Sequence, residues 1–172
     1  MRASEYLAAD KRVIFLGQSV VWPGNSIFGT LANVPKEQKL EMPVFEDTQL
    51  GLSTGLALAG FIPVSIYPRF NFFLLTMNQL VNHLDKIAVI TRGGVTPKVI
   101  MRTAIGSERP LHPGVQHSGD FTEAMQKLGL KNVEIIRLDE PEQIFPAYKK
   151  ALERTDGKST LLVEFGDYYN EK

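Results

Sequence analysis

The sequence predicts an α/β fold: a doubly wound, mainly parallel sheet of about six strands with helices on both faces. Short apolar runs alternate with helix-forming stretches along the chain, and each run is apolar at consecutive positions. Strands of that kind are typical of a parallel sheet that helices cover on both sides. Because no shift in composition marks a boundary, residues 1–172 are expected to form a single domain.

Composition narrows the class of protein. With 44% hydrophobic and 22% charged residues, the chain is expected to be an ordinary globular protein. The 19 basic and 19 acidic residues cancel, so the sequence predicts neither a nucleic-acid nor a membrane partner. The chain has no cysteine, a polar N-terminal segment and no run of about 20 apolar residues, which together favour a cytoplasmic protein.

The first elements follow from apolar runs and chain breakers. A helix is predicted over residues 4–11 and a buried strand over 13–16, which Gly17 ends. Residues 18–40 carry too many glycine, proline and asparagine residues for a long regular element, and a loop of that length usually has a function. A second strand is predicted over residues 42–45.

A glycine-rich helix comes next. Asp47 or Thr48 is predicted to cap it, and it continues through Ala59, so that Glu46 lies at the junction of strand and helix. Glycine inside a helix costs about 1 kcal/mol relative to alanine. Gly51 and the glycines that follow it therefore indicate that another group approaches this helix closely.

The remaining chain repeats the alternation. A strand over 63–66 and a turn over 67–70 lead into a helix over 71–85. One broad face of that helix is predicted to carry the apolar residues Phe72, Leu75, Leu80 and Leu84. The further predictions are a strand over 99–101, a long loop over 103–120, a helix over 121–128, a strand over 133–136, a helix over 141–154 and a strand over 160–165.

Several motifs together resemble a known family. The segment PVFEDTQLGLSTGLALAGFIPV is similar to the P-x-x-E motif, glycine- and alanine-rich helix and strand of the beta subunits of thiamine-diphosphate-dependent 2-oxo acid dehydrogenases and of transketolase. The resemblance covers most of residues 13–165. It continues in order through Phe70-Asn71-Phe72, the Q-x-x-N-x-x-x-K pattern at Gln79, Asn82 and Lys86, then Arg92-Gly93-Gly94, Arg102, Gly106 and Gln116-His117-Ser118.

The resemblance implies the pyrimidine-binding domain of such an enzyme. In the family, the acid that matches Glu46 bonds to N1′ of the cofactor's aminopyrimidine and activates the cofactor, and the ring that matches Phe72 stacks on the pyrimidine. The histidine that matches His117 faces the substrate or its acyl acceptor and exchanges protons, and Gly51 is expected to be a further cofactor-binding residue. Glu46 and His117 are thus the expected catalytic residues.

The same residues have simpler explanations outside the motif. Glu46 alone would be a solvated charge at a helix start, Phe72 a core residue and His117 a surface residue. The family's glutamate after the first strand is Gln18 here, and Arg69 replaces a small or apolar residue. Arg69 either binds an anionic group of the substrate or forms a surface salt bridge.

The expected partner follows from a motif that this sequence lacks. Family members bind Mg²⁺ and the diphosphate through a G-D-G motif followed by an asparagine, and the family's beta subunits also have a C-terminal domain. The chain shows neither, and its three histidines are too scattered to predict a metal site. We therefore expect a split enzyme whose Mg²⁺ lies on a diphosphate-binding subunit, in an α₂β₂ heterotetramer.

The resemblance implies an enzyme that needs its partner chain. The expected reaction is C–C bond cleavage or formation on a small-molecule 2-oxo acid or ketose, as in a transketolase-like transferase or a 2-oxo acid dehydrogenase or decarboxylase. The sequence leaves the choice of substrate open. The alternative hypothesis is a non-catalytic binding or regulatory module with the same doubly wound fold.

Overall fold

The computed structural model describes residues 1–106 and 112–166. Its sheet has the strand order β2-β1-β3-β4-β6-β5, and every neighbouring pair is parallel. The strands are β1 (Val13–Gly17), β2 (Lys39–Glu41), β3 (Ile62–Tyr67), β4 (Ile100–Ile105), β5 (Val133–Leu138) and β6 (Ser159–Phe165).

Helices fill the connections between the strands. They are α1 (Arg2–Ala8), α2 (Ser26–Gly29), α3 (Glu46–Leu58), α4 (Phe70–Phe73), α5 (Ile87–Ile90), α6 (Thr122–Gln126) and α7 (Pro141–Glu153). The described residues also form two 3₁₀ turns, Lys36–Gln38 and Leu74–Thr76, and a π-helical segment, Gln79–Leu84. No helix within the described ranges has the length and apolar character that crossing a membrane requires.

The sheet separates two apolar cores. Val64 and Ile66 of β3 belong to the core that includes residues of α1 and α7, whereas Tyr67 belongs to the core that includes residues of α4 and α6. Leu162 of β6 likewise faces the first core, and its neighbour Leu161 faces the second. Since successive side chains of a strand point to opposite faces, both faces are buried, and the predicted doubly wound parallel sheet is confirmed.

The second strand and the start of α3 differ from the prediction. The strand lies at residues 39–41 rather than 42–45, because Pro43 has no N–H for a sheet hydrogen bond and Val44 and Phe45 are exposed. Helix α3 begins at Glu46, one residue before Asp47 and two before Thr48, so neither predicted residue caps it; Phe45 is the N-cap residue and no side chain caps the helix. Glu46 still lies at the junction, as its first residue.

The segment predicted as a helix over residues 71–85 is helical over residues 70–84, but it is not a uniform α-helix. It is a short α-helix, a 3₁₀ turn and a π-helical segment in succession. Leu80 and Leu84 are buried as predicted, but Leu75 is 62% exposed. Each change of helical pitch rotates the face that later residues present, so a single 3.6-residue pattern does not describe the segment.

Gly17 makes a close approach that only glycine allows. It has a φ of +153°, and a Cβ atom there would lie 2.4 Å from the carbonyl oxygen of Ile66 on β3. β1 therefore ends tightly against β3, and the chain enters the next loop beside it.

The topology places a crevice between the ends of β1 and β3. The chain leaves β1 toward β2 on one side, whereas β3, on the other side of β1, continues away toward β4. Connections that diverge from adjacent parallel strands open a crevice at their carboxyl ends, where proteins of this class bind ligands.

Candidate active site

The candidate residues lie beyond the carboxyl ends of four adjacent strands. Gln18 follows β1, Glu46 follows β2, Arg69 follows β3, and His117 lies in the loop after β4. Residues far apart in sequence thus share one edge of the sheet, on both sides of the crevice between β1 and β3.

Glu46 is a buried carboxylate at the start of a helix. Its residue is 5% exposed, and its Oε1 accepts a hydrogen bond of 3.2 Å from Nε2 of Gln18. The positive end of the α3 dipole favours a negative charge at this position. The preceding residues, Val44 and Phe45, are 69% and 61% exposed, so a buried acid borders an exposed apolar surface.

Gln49 anchors the first turn of α3 across the crevice. Its Nε2 donates to the carbonyl oxygens of Leu16 on β1, at 3.4 Å, and Ile66 on β3, at 3.0 Å, and also to Oγ of Ser65, at 3.0 Å. The side chain is 1% exposed. Sequence reasoning missed this residue, although its position three residues after Glu46 puts both on the same helix face.

A buried tyrosine lies below the helix start. Oγ of Ser65 donates to the Tyr67 hydroxyl at 3.0 Å. Burial raises the pKa of Tyr67, the bond from Ser65 opposes that rise, and the negative charge of Glu46 adds to it. Tyr67 is therefore a neutral, structural part of the site at neutral pH.

Phe72 and His117 form one contact. Their ring centroids are 5.2 Å apart with planes inclined by 58°, and both side chains are partly exposed. Nδ1 of His117 is buried without a hydrogen-bond partner among the described atoms. An imidazole nitrogen in that state is available to donate to, or accept from, a ligand.

Arg69 contacts backbone carbonyls. Its Nη1 donates to the oxygens of Gly106, at 2.8 Å, and His117, at 3.4 Å. Oδ1 of Asn71 accepts from the backbone N–H of Gly119 at 3.2 Å, and the ring of Phe121 packs edge-on at 5.6 Å from that of Phe70. These contacts connect residues 69–71 to the loop that contains His117 and to Phe121 after it. Sequence reasoning gave Asn71 no role.

The close approach predicted for the glycine-rich helix is not found among the described residues, because a Cβ atom at Gly51 would make only an ordinary contact and one at Gly55 would meet open space. A Cβ atom on Gly51 would lie 3.5 Å from Cδ of Gln79 in the π-helical segment. Nε2 of Gln79 also donates to Oδ2 of Asp47 at 3.2 Å. The cofactor contact expected at Gly51 stays a prediction, as do the roles of Glu46, Phe72, Arg69 and His117.

The histidine, aspartate and glutamate side chains of residues 1–106 and 112–166 form no group of three that could hold a metal ion. The arrangement instead offers a buried carboxylate, an amide donor, an aromatic face and an imidazole with an available nitrogen. Such a set suits a nitrogen heterocycle, which needs a polar anchor at its nitrogen and a flat apolar contact at its face.

Comparison with known proteins identifies relatives by sequence. The chain is 32% identical over 136 residues to the beta subunit of 3-methyl-2-oxobutanoate dehydrogenase from Mycobacterium tuberculosis, a match that covers 74% of this chain and 37% of that subunit. It is 23% identical over 171 residues to the pyruvate dehydrogenase E1 component subunit beta of Chlorokybus atmophyticus, covering 98% and 49%. The chain thus spans less than half the length of these relatives. No protein-family model matches it.

Solved structures share the fold. A split-gene transketolase, an inactive beta4 tetramer, superposes with a TM-score of 0.61 at 14% identity, over 95% of this chain and 50% of that one. A putative thiamin diphosphate-dependent enzyme from Mycobacterium smegmatis superposes with a TM-score of 0.68 at 15% identity, over 96% and 30%. The chain is therefore a homologue of the beta subunits of 2-oxo acid dehydrogenases and has the transketolase-like α/β fold of thiamine-diphosphate-dependent enzymes.

Proposed function

We propose that this chain is the pyrimidine-binding subunit of a thiamine-diphosphate-dependent enzyme and that Glu46 activates the cofactor. The observation that carries the proposal is the buried Glu46 carboxylate, which receives a hydrogen bond from Gln18 at the crevice between β1 and β3. When bound, thiamine diphosphate supplies a nucleophilic carbon for cleaving or forming C–C bonds next to a carbonyl group.

The residues of the crevice fit an aminopyrimidine ring. Glu46 would hold and exchange a proton at a ring nitrogen, because its carboxylate is shielded from water and fixed by an amide donor. The partly exposed ring of Phe72 offers an apolar face, and Nδ1 of His117 would bind a polar atom of the substrate. Arg69 would act by holding the His117 loop, since its guanidinium contacts that loop's backbone.

The phosphate end of the cofactor needs another chain in this proposal. The 172 residues contain no G-D-G motif, and the described part of them has no cluster of metal ligands. A partner subunit with G-D-G and a following asparagine would bind Mg²⁺ and the diphosphate, in an α₂β₂ assembly. The inactive state of the split-gene transketolase's beta4 tetramer supports dependence on a partner.

The sequence relatives favour a 2-oxo acid as substrate, because they are subunits of 3-methyl-2-oxobutanoate and pyruvate dehydrogenases. The split-gene transketolase has the same fold and keeps ketol transfer from a sugar as the second candidate reaction. Both reactions begin at a carbonyl group beside the bond that breaks. The residues of the crevice described above serve either one.

Co-expression with a neighbouring gene whose product has the G-D-G and asparagine motifs tests the proposal. The purified complex, with Mg²⁺ and thiamine diphosphate, is assayed for 2-oxo acid decarboxylation and for ketol transfer. We expect Glu46→Ala to lower turnover by about 100-fold or more, because proton exchange by a positioned carboxyl group contributes that much. Glu37→Ala, at an exposed glutamate, is the matched control and should leave turnover unchanged.

Two results would contradict the proposal. Full activity of the Glu46→Ala complex would remove the role of that carboxylate. A stable complex that retains no thiamine diphosphate on analysis of its bound cofactor would favour the non-catalytic binding module.

A further inference from the structure

The carboxylate of Glu41 lies outside the set of groups that would touch the cofactor, yet it binds three consecutive backbone N–H groups. Its Oε1 accepts from Ser19 at 2.5 Å, and its Oε2 accepts from Val20 at 3.0 Å and from Val21 at 2.7 Å. Ser19 has a φ of +58°, in the left-handed region that L residues rarely adopt. Successive N–H groups around such a residue form a concave anion site, and here the chain's own carboxylate occupies it.

The position of Glu41 fixes this loop relative to the sheet. Glu41 is the last residue of β2 and is aligned with Gly17, the last residue of β1. The N–H of Met42 donates to the carbonyl oxygen of Gly17 at 2.9 Å. The Glu41 carboxylate, which binds residues 19–21, thus projects from the end of β2. The same end of β2 is hydrogen-bonded to Gly17, the residue before Gln18.

Gln18 lies between these two fixed points. Gly17 precedes it in the sheet, and Ser19 follows it with its N–H on Glu41. Its own carbonyl oxygen accepts from Nδ2 of Asn25 at 3.4 Å, and its side chain donates to Glu46. The backbone of Gln18 is thus held on both sides, which limits where its amide can point.

We propose that Glu41 is a positioning residue: by binding the N–H groups of residues 19–21 it aims the amide of Gln18 at the carboxylate of Glu46. The inference rests on the proposed role of Glu46. Hydrogen bonds to a charged acceptor are stronger than neutral ones, so this anchor is firm enough to keep Ser19 in its strained conformation.

A purely structural role for Glu41 predicts a different outcome. Val20 is fully buried and anchors the same loop through apolar contacts. If Val20 alone fixes the loop, removing the charge of Glu41 will lower stability without changing the environment of Gln18.

The first test uses the full chain without cofactor. In Glu41→Gln the side-chain shape is kept, but one carboxylate oxygen becomes an NH₂ group that cannot accept, so at least one of the three N–H groups loses its acceptor and the others lose a charged one. By NMR, we expect amide exchange at residues 19–21 to become about 10-fold faster, and the Gln18 side-chain amide resonances to move toward their positions in Glu46→Ala. Glu37→Gln is the matched control. Unchanged Gln18 resonances in a folded Glu41→Gln chain would overturn the inference.

The second test is a double-mutant cycle in the loaded complex. Glu41→Gln and Gln18→Ala are each expected to lower kcat about 10-fold with KM little changed, and the double variant should be no slower than Gln18→Ala alone. If the kcat losses of the two single variants are fully additive in the double variant, Glu41 does not act through Gln18.

The two tests separate this inference from the proposed function. The NMR comparison involves neither cofactor nor turnover, so it reports on the link from Glu41 through Gln18 to Glu46 even if Glu46→Ala retains activity. An active complex with shifted Gln18 resonances but no loss of kcat would refute the positioning role alone.

Discussion

Asp85 is predicted to be a main anchor of the segment that packs against the start of α3. It directly follows the π-helical residues 79–84 and is 0% exposed. Its Oδ1 accepts from the backbone N–H groups of Lys131, at 2.7 Å, and Asn132, at 2.8 Å, and Lys86 Nζ lies 2.7 Å from its Oδ2. Asp85 thereby joins this segment to the residues that enter β5.

The contacts set the size of the expected effect. Each hydrogen bond to a charged acceptor contributes about 1.5–3 kcal/mol when its donor is shielded, but Lys131 is exposed and Asn132 only half-buried. The Lys86 side chain is 44% exposed, so its ion pair adds less than about 1 kcal/mol. We expect Asp85→Ala to lower the free energy of unfolding by about 3 kcal/mol and Asp85→Asn, which keeps one oxygen acceptor, by about 1–2 kcal/mol.

Urea unfolding followed by circular dichroism measures these changes. The matched control is Asp139→Asn, because Asp139 is exposed and its ion pair with Arg137 lies on the surface; we expect a change below about 1 kcal/mol. If Asp85→Asn and Asp139→Asn lower the free energy of unfolding equally, burial and backbone hydrogen bonds do not make Asp85 important for stability.

The Asp85 carboxylate also predicts how the stability of the fold depends on pH. Burial alone would raise the pKa of Asp85, but the hydrogen bonds from Lys86 and from the N–H groups of Asn132 and Lys131 outweigh it and hold that pKa below 3.8. A carboxyl pKa that is lower in the folded than in the unfolded state stabilises the fold above the unfolded value, and this contribution is lost as pH falls through the folded value. The stability difference between wild type and Asp85→Asn should be constant near neutral pH and shrink below about pH 4; a difference that stays constant down to about pH 3 would contradict the assignment.

Two glycines give opposite predictions in thermal or urea unfolding. Gly17→Ala should lower the free energy of unfolding by about 2 kcal/mol or more, because its Cβ would lie 2.4 Å from the carbonyl oxygen of Ile66; a change below about 0.5 kcal/mol would show that the two strands separate easily. Gly51→Ala should raise it by about 0.5–1 kcal/mol, because its Cβ would meet Gln79 at an ordinary 3.5 Å and alanine favours the helix; a loss of stability would mean that Gln79 cannot adjust. If the expected cofactor contact at Gly51 exists, the same variant will bind thiamine diphosphate more weakly in the complex.

Local sequence patterns were sufficient for the main elements. The apolar runs at 13–16, 133–136 and 160–165 predicted strands that the structure has with slightly longer bounds. Because the sheet is buried on both faces, continuous apolar runs were the correct pattern to look for. The position of Glu46 at a strand-to-helix junction also followed from sequence.

Elements whose boundaries depend on neighbours were predicted less well. Because Pro43 has no N–H for the sheet, β2 lies at residues 39–41 rather than 42–45. The helix expected over residues 71–85 contains α-helical, 3₁₀ and π-helical turns. The contact of Gln79 with Asp47 and Gly51 is tertiary, and so are the bonds that hold Asp85. A single-helix periodicity contains no information about such contacts.

The sequence by itself determined the fold class, the family resemblance and which side chains could do chemistry, because apolar runs, glycines and motifs act over a few neighbouring residues. Only the tertiary structure decided which of those side chains meet. Gln18 reaches Glu46 across 28 positions, and Glu41 reaches Ser19 across 22. Such pairs form because parallel strands in one register bring their carboxyl ends to a common edge, and that register is set by packing over the whole sheet.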